Sequence, residues 1–300
     1  MTRHPTRPLR AIYDVAAPAK LNLFLHITGR RPDGYHLIQS VFMLIDWCDT
    51  LHFELRNDGQ ITREDLTDGG QKLANHDDLP ANDLTVRAAK ALQKACATSL
   101  GVHIGLNKRI PSQAGMGGGS SDAASCLLAL QRLWGVSLAP DVLQKLALSL
   151  GADVPFFLSG GPAWVEGIGE KITPVSLPGA TFVVVKPPAG VSTQDIFTAP
   201  DLRRDSETAT IQGFAAYSND GRNLLMEFGH NDLQPIAMRM CSQIGLSLDW
   251  LASQQLCGKM TGSGSAVFAQ LPNDADLASA PESWRVRKCK SLAMHPLAGW

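Results

Sequence analysis

Apolar and polar residues alternate over "YDVAAPAKLNLFLHIT", residues 13–28, and a period of two predicts a strand there. "LIQSVFMLIDWCDTLHFELRN" at 37–57 continues the pattern for one or two further strands. Gly29, Pro32 and Gly34 mark the intervening "GRRPDGYH" as a loop. Residues 57–82 are polar and rich in Gly and Asp, which predicts a loop carrying a short strand. The period then lengthens. In "NDLTVRAAKALQKACAT" Leu84, Ala88, Leu92 and Cys96 fall on one face of a helix, with Asn82 or Asp83 as its cap. "GVHIGLNKRIP" returns to a strand, with Val102, Ile104 and Leu106 on one side. A helix with Ala123, Leu127, Leu130 and Trp134 in one stripe is expected from about Ser121 to Leu133. "APDVLQKLALSLG" predicts another, with Pro140 in its first turn and Gly151 beyond its end.

"GGPAWVEGIGEKITPV" reads as a hairpin, and "ATFVVVKPP" as a buried strand that opens a second unit. A polar loop is expected over roughly 200–222, then a helix from near Pro235 to Gly245 and another through Trp250 and Leu251. "GKMTGSGSAVFAQL" reads as strand, glycine turn, strand. Strands and helices mix in both halves, so the fold class is α/β in the broad sense, with an α+β C-terminal layer. Three hundred residues suit two domains. The divisions expected are a loose tail at 1–10, a first domain at 11–178 and a second at 179–300.

Composition narrows the partners. The chain is 44% hydrophobic and 18% charged with a formal charge of −1, so nothing calls for nucleic acid or a membrane surface. No apolar run reaches membrane-spanning length, and the basic N-terminus lacks the apolar core of a signal peptide. The six cysteines form no CxxC pair and no His/Cys cluster has zinc spacing, which fits reduced thiols in the cytoplasm. A monomer or a homodimer is compatible with this pattern.

The chemistry concentrates in "IPSQAGMGGGSSDAA" at 110–124. A strand, a glycine-rich loop and a helix N-terminus together make an anion site: glycines let backbone N–H groups approach the ligand, and the helix dipole favours negative charge. Ser120 and Ser121 stand where hydroxyls meet a phosphate oxygen or a magnesium ion. The letters exclude the common alternatives. No Lys follows the glycines, as a Walker loop requires, and the dinucleotide pattern started at Gly115 meets Ser120 where it needs Gly.

"PSQAGMGGGSSDAA" resembles the second motif of the GHMP kinases. "APAKLNLFL" at 17–25 is similar to their first motif and "KMTGSGSAVFA" at 259–269 to their third, in family order. "GRRPDGYHLIQSVF" and "LGADVPFFLSGGPAWVEGIGE" are similar to the branch serving non-mevalonate isoprenoid synthesis. Two letters depart from the usual pattern: Met116 stands where leucine is usual, and Asp122 where asparagine is common. Asp122 is expected to point away from the nucleotide's phosphates.

The resemblance implies a ribosomal-protein-S5-like N-terminal ATP-binding domain, a ferredoxin-like C-terminal domain and an active site in the cleft between them. It implies transfer of the ATP γ-phosphoryl, with Mg2+, to the 2-hydroxyl of a cytidine-diphosphate-linked methylerythritol. Pro111, Ser112, Gln113, Ala114, Gly115, Met116, Gly117, Gly118, Gly119, Ser120 and Ser121 would hold ATP, with Ser121 also a candidate for the metal. Asp153 in "GADVPFF" matches the catalytic aspartate, as proton acceptor or as orienting group, and Lys20 its partner. Asn22 shares the face of Lys20 and is a substrate candidate. Tyr35, His36 and Phe197 match residues that hold the cytosine. Thr261 and Gly262 either approach the substrate through the backbone or form a plain hairpin turn. Asn231 and Asp232 echo the family and carry no assigned role. Two rivals stand beside this reading: a kinase of the same superfamily with a homoserine- or mevalonate-type acceptor, and a non-catalytic nucleotide-binding regulator.

Overall fold

The computed structural model describes residues 9–67, 79–219, 223–272 and 275–300. Two long strands form its spine: β1 (Ala11–Arg30) and β2 (His36–Arg56) pair antiparallel across the turn at 31–35. β2 is one unbroken strand. β1 takes up irregularities by shifting register after Ile12, Pro18, Asn22 and Ile27, and such bulges let a long strand bend. β4 (Gly101–Asn107) lies antiparallel to β2, and β3 (Ile61–Asp65) runs parallel to β4 at the edge. β5 (Ala163–Gly167) and β6 (Lys171–Pro174) form the expected hairpin, with β5 also paired to β2.

Helices α1 (Leu84–Ala95), α2 (Gly118–Trp134), α3 (Pro140–Leu150) and the short α4 (Val154–Leu158) pack over this sheet. Asp83 caps α1 by accepting from the Val86 amide at 3.0 Å. The apolar stripe of α2 closes the first core, where Ala123, Leu127 and Leu130 are fully buried against Phe42, Leu51 and Ile104. Burial of such side chains is the main source of stability here, about 1.5–3 kcal/mol for each large one.

The C-terminal half contributes β7 (Thr181–Lys186), β8 (Lys259–Met260), β9 (Val267–Leu271) and β10 (Arg285–Leu292), with α5 (Thr193–Thr198), α6 (Ile211–Asn219), α7 (Leu224–Glu227), α8 (Gln234–Met240) and α9 (Ser242–Ser253). The sheet runs β3-β4-β2-β10-β7-β9-β8. β10 joins the halves: Ser291 and Leu292 pair with Ile45 and Leu44 of β2, while 285–290 pair with β7. The boundary expected at 178/179 falls between β6 and β7. A second core spans that line, with Leu21, Phe24 and Met43 against Phe182, Phe214 and Phe268.

Three expectations need correction. The polar loop over 200–222 contains α6, which is anchored to the core by a buried ring: Phe214 meets Phe24, Trp164 and Phe228. Residues 220–222 lie outside the described ones, as do 1–8 of the expected tail. The helix expected to run to Gly245 ends at Met240. Cys241 is extended (φ −140°, ψ 97°), and a new helix begins at Ser242, so that Ile236 and Ile244 both reach the third core. Finally, α2 begins at Gly118, three residues early. Gly117, at φ +69°, is its first flanking residue, and no side chain caps it.

Candidate active site

An open cleft of ≈ 1270 Å³ lies between the halves, lined by all three glycine- or lysine-bearing segments and by the 33–36 turn. Its floor is Lys20. The strand pairing of β1 puts this residue inside, with 3% exposure. Its backbone amide donates to Met116 O at 3.0 Å, and its Nζ donates to Asn22 Oδ1 at 2.5 Å and Gly115 O at 2.9 Å. Nζ also stands 4.8 Å from the Phe42 ring centre and 3.7 Å from Asp153 Oδ2. Burial lowers the Lys20 pKa, and the Asp153 carboxylate opposes that shift. Asp153 flanks the start of α4 without capping it, and its side chain is 31% exposed, free to meet a ligand in the cleft.

Asn22 is locked. Its Nδ2 donates to Ser40 Oγ at 3.0 Å, Ser40 Oγ donates to Phe24 O at 2.5 Å, and the Asn22 amide donates to Thr261 Oγ1 at 2.9 Å. The amide orientation follows: with its hydroxyl proton committed to Phe24 O, Ser40 receives from Asn22 Nδ2, which leaves Asn22 Oδ1 to face the ammonium.

The glycine loop wraps this centre. Each glycine does a different job. A Cβ on Gly115, at φ +70°, would stand 2.1 Å from Thr261 O, so this position requires glycine for close approach to the third motif. The same motif is stitched to the loop by Ser265 N to Gln113 O (3.0 Å) and Ala266 N to Ala114 O (3.3 Å). A Cβ on Gly118 would crowd Ile110 at 3.0 Å, whereas one on Gly119 meets only Leu84 at 3.5 Å. The first turn of α2 has no side-chain cap, and its residues Gly118, Gly119 and Ser120 line the cleft, an arrangement suited to an anion.

Below α2 sits a buried group that sequence reasoning missed. Lys108 Nζ donates to Asp122 Oδ2 at 2.7 Å and to Asp49 Oδ2, while Asp49 Oδ1 accepts the Arg109 and Ile110 amides at 2.6 and 2.8 Å. Asp122 is thus turned onto Lys108. Burial disfavours the Lys108 charge, but the two carboxylates prevail and raise its pKa. Burial, reinforced by Asp49, pushes the Asp122 carboxyl well above the usual range against the pull of Lys108.

At the other end, Tyr35 is 60% exposed and His36 packs on Phe197 with ring centres 4.9 Å apart. Arg204 donates from Nε to His36 Nε2 at 3.0 Å, a partner that no sequence spacing announces. Burial lowers the His36 pKa, with Arg204 and Arg30 adding to the shift. Asn231 acts as a clamp on the third motif, its Nδ2 donating to Met260 O and Gly262 O, both at 2.8 Å.

The cleft wall takes in Lys20, Asn22, Tyr35, His36, Asp153, Phe197, Gly262 and the loop from Pro111 to Ser120. Two expected residues are not on it. Thr261 is fully buried behind Asn22. Ser121 faces the core one helix position beyond Ser120, its Oγ without a hydrogen-bond partner. Among the described residues no three His, Cys, Asp or Glu side chains gather as a metal site.

The sequence pattern of the GHMP kinases N terminal domain matches residues 83–161. Crystal structures of a homoserine kinase from Cytophaga hutchinsonii (TM-score 0.66) and of the Methanococcus jannaschii mevalonate kinase (0.64) share the fold at 15% identity, covering 98% and 96% of this chain and 98% and 100% of theirs. Fold and cleft together define a GHMP kinase, an ATP-dependent phosphotransferase. A 4-diphosphocytidyl-2-C-methyl-D-erythritol kinase from Polaromonas naphthalenivorans is 72% identical over 98% of both chains, and one from Variovorax paradoxus is 58% identical over 97% of this chain and 99% of its own. A crystal structure of 4-(cytidine 5'-diphospho)-2C-methyl-D-erythritol kinase superposes with TM-score 0.70 at 31% identity, covering 92% of this chain and 98% of that one. The chain belongs to the 4-diphosphocytidyl-2-C-methyl-D-erythritol kinase family.

Proposed function

We propose that the protein transfers the γ-phosphoryl of ATP to the 2-hydroxyl of 4-diphosphocytidyl-2-C-methyl-D-erythritol, in the non-mevalonate route to isoprenoid precursors. One observation carries the reading: a single cleft holds an uncapped helix N-terminus suited to phosphates, a Lys-Asp pair suited to a reacting hydroxyl, and an aromatic-histidine group suited to a base. A homoserine or mevalonate acceptor has no base for the last of these.

ATP lies with its phosphates on the first turn of α2, where backbone amides and the helix dipole offset their charge. Asp153 accepts the hydrogen bond of the acceptor hydroxyl and aims its oxygen at the γ-phosphorus. Phosphoryl transfer passes through a loose transition state, so orientation and charge stabilisation outweigh early proton removal. Lys20, 3.7 Å from the Asp153 carboxylate, adds positive charge beside the hydroxyl. Asn22 and Gly115 hold the ammonium in place, since both accept from it. Magnesium would be held chiefly by the phosphates of the nucleotide. The donor set fits that: the cleft offers the Asp153 carboxylate and the Ser120 hydroxyl but no carboxylate cage, as suits a metal held chiefly by phosphates and water. When bound, it neutralises charge on the transferring group.

All six cysteines are unpaired, consistent with a cytoplasmic site of action, and no helix among the described residues is long and apolar enough to cross a membrane. ADP release coupled to acceptor, measured over a panel of cytidine-linked, uridine-linked, homoserine and mevalonate acceptors, tests the proposal. Release with the cytidine-linked methylerythritol is expected. Release with homoserine or mevalonate instead, or with none, would overturn it.

A further inference from the structure

We propose that Arg204 is a positioning residue that fixes the tautomer of His36 and thereby makes the base site read cytosine rather than uracil; this rests on the acceptor assigned above. Arg204 lies in the loop between α5 and α6, far from β2 in sequence. Every nitrogen of its guanidinium is engaged. Nε donates to His36 Nε2 at 3.0 Å, Nη1 to Leu202 O at 2.9 Å, and Nη2 to Phe197 O and Ala199 O at 3.1 and 2.8 Å. Three carbonyls therefore hold the fork in one orientation, with Nε aimed at the imidazole.

A guanidinium is always charged and only donates. The nitrogen that receives from it must offer a lone pair, so His36 Nε2 carries no proton. Neutral imidazole has one proton, which then resides on Nδ1. A doubly protonated ring would set two donors against each other and a cation beside a cation. The lowered His36 pKa, caused first by burial and then by Arg204 and Arg30, agrees with a neutral ring. His36 lines the cleft, and Nδ1 has no protein partner among the described residues.

The ring thus presents a fixed donor to a ligand. Cytosine and uracil differ along the edge such a donor meets: cytosine N3 has a lone pair, and uracil N3 carries a hydrogen. Nδ1–H donates to the first and confronts the second, leaving two donors unpaired in a part-buried site. Phe197, whose ring packs on His36 and whose carbonyl holds Arg204, cannot make this distinction, because stacking accepts either base. Without Arg204 the imidazole is free to exchange tautomers and offer an acceptor to uracil N3–H.

The test begins on the unsubstituted enzyme. Nitrogen NMR of the full chain carrying 15N-histidine, with the His36 signals assigned by their loss in His36→Gln, reads the tautomer directly. The Nδ1–H form is expected, and the Nε2–H form would overturn the proposal whatever any variant does. Arg204→Leu is expected to give a mixture of tautomers and to lower the cytidine-over-uridine ratio of kcat/KM by roughly 10-fold, the scale of one hydrogen bond. Arg204→Lys, which keeps a donor, is expected to recover part of both. KM for ATP is the internal reference: a rise equal to that for the cytidine acceptor would mean that Arg204 serves only the fold. Retention of the Nδ1–H form and of full discrimination in Arg204→Leu would also overturn the idea. A wild-type enzyme that shows Nδ1–H but phosphorylates no cytidine-linked acceptor would remove the acceptor assignment, leaving the tautomer result in place.

Discussion

Asp49 and Asp122 turn their carboxylates onto the same ammonium, that of Lys108. Two buried carboxyl groups share this one ammonium, and Asp122 bears the consequence: burial and the Asp49 charge raise its pKa well above the ordinary value. In the unfolded chain the carboxyl titrates near 3.9. Above that pH the folded state keeps a proton that the unfolded chain has released, so the contribution of Asp122 to stability falls as pH rises. Asp122→Asn removes this loss, and Asp49 still pairs with Lys108. The variant is expected to melt at or above the wild-type temperature at pH 7.5, with its advantage shrinking at pH 5. A variant less stable throughout would show that Asp122 works as a charged partner. Melting curves at the two pH values decide.

Asp153→Asn keeps the shape of the side chain and discards its charge. A fall in kcat of at least ~10²-fold is expected, as for loss of a positioned acid-base group, with ATP binding retained. Lys20→Met should fall similarly, and the double variant should lose less than the product of the two, because the side chains act as a unit. Near-normal turnover by a folded Asp153→Asn enzyme would take Asp153 out of the mechanism.

The buried Lys20 sets an upper pH limit as well. Burial lowers its pKa below the usual ~10.4, and turnover needs the ammonium. Wild-type kcat is therefore expected to decline on the alkaline side before an ordinary lysine would titrate. The residual turnover of Lys20→Met should lack that decline, and a shared alkaline limb would assign it to another group.

Two glycines separate folding from ligand binding. Gly115→Ala forces a Cβ to 2.1 Å from Thr261 O at a positive φ, and should prevent stable folding. Gly119→Ala places its methyl 3.5 Å from Leu84 inside a helix. It should raise stability, by up to about 1 kcal/mol on helix propensity, while raising KM for ATP more than KM for the acceptor. Unchanged KM for ATP would mean that phosphates do not approach at Gly119.

Tyr35 projects into solvent from the rim of the cleft. A stacking residue does not discriminate between bases. Tyr35→Ala should raise KM for cytidine- and uridine-linked acceptors alike, by roughly 10-fold, with kcat little affected. A change confined to one base would make Tyr35 a reader of the edge.

What sequence reveals here divides along physical lines. The places of Lys20, Asp153 and the glycine loop on the cleft wall were legible because each sits in a local pattern whose spacing is fixed by backbone geometry: a strand face, a turn before a helix, a run of glycines. β10 was not. "RVRKCKSL" has a single fully buried residue, Cys289, and owes its place to pairing with β2 and β7. α6 was hidden for the same reason, its polar surroundings relieved by one phenylalanine that finds three distant rings. Arg204, Lys108 and Ser40 act through side-chain contacts with residues distant in sequence, such as His36, Asp49 and Phe24, with no period to announce them. Ser121 is buried while Ser120 lines the cleft, because adjacent helix residues point about 100° apart.

β10 is the last strand along the chain, yet in the sheet it stands between β2 and β7. During synthesis β2 and β7 leave the ribosome before residues 285–292, and each waits with an open edge until those residues follow. Open edges recruit other chains. Premature termination a few residues before β10 therefore spares every residue of the cleft and still leaves a nascent protein poised to aggregate. β10 serves as the latch that ends this exposure.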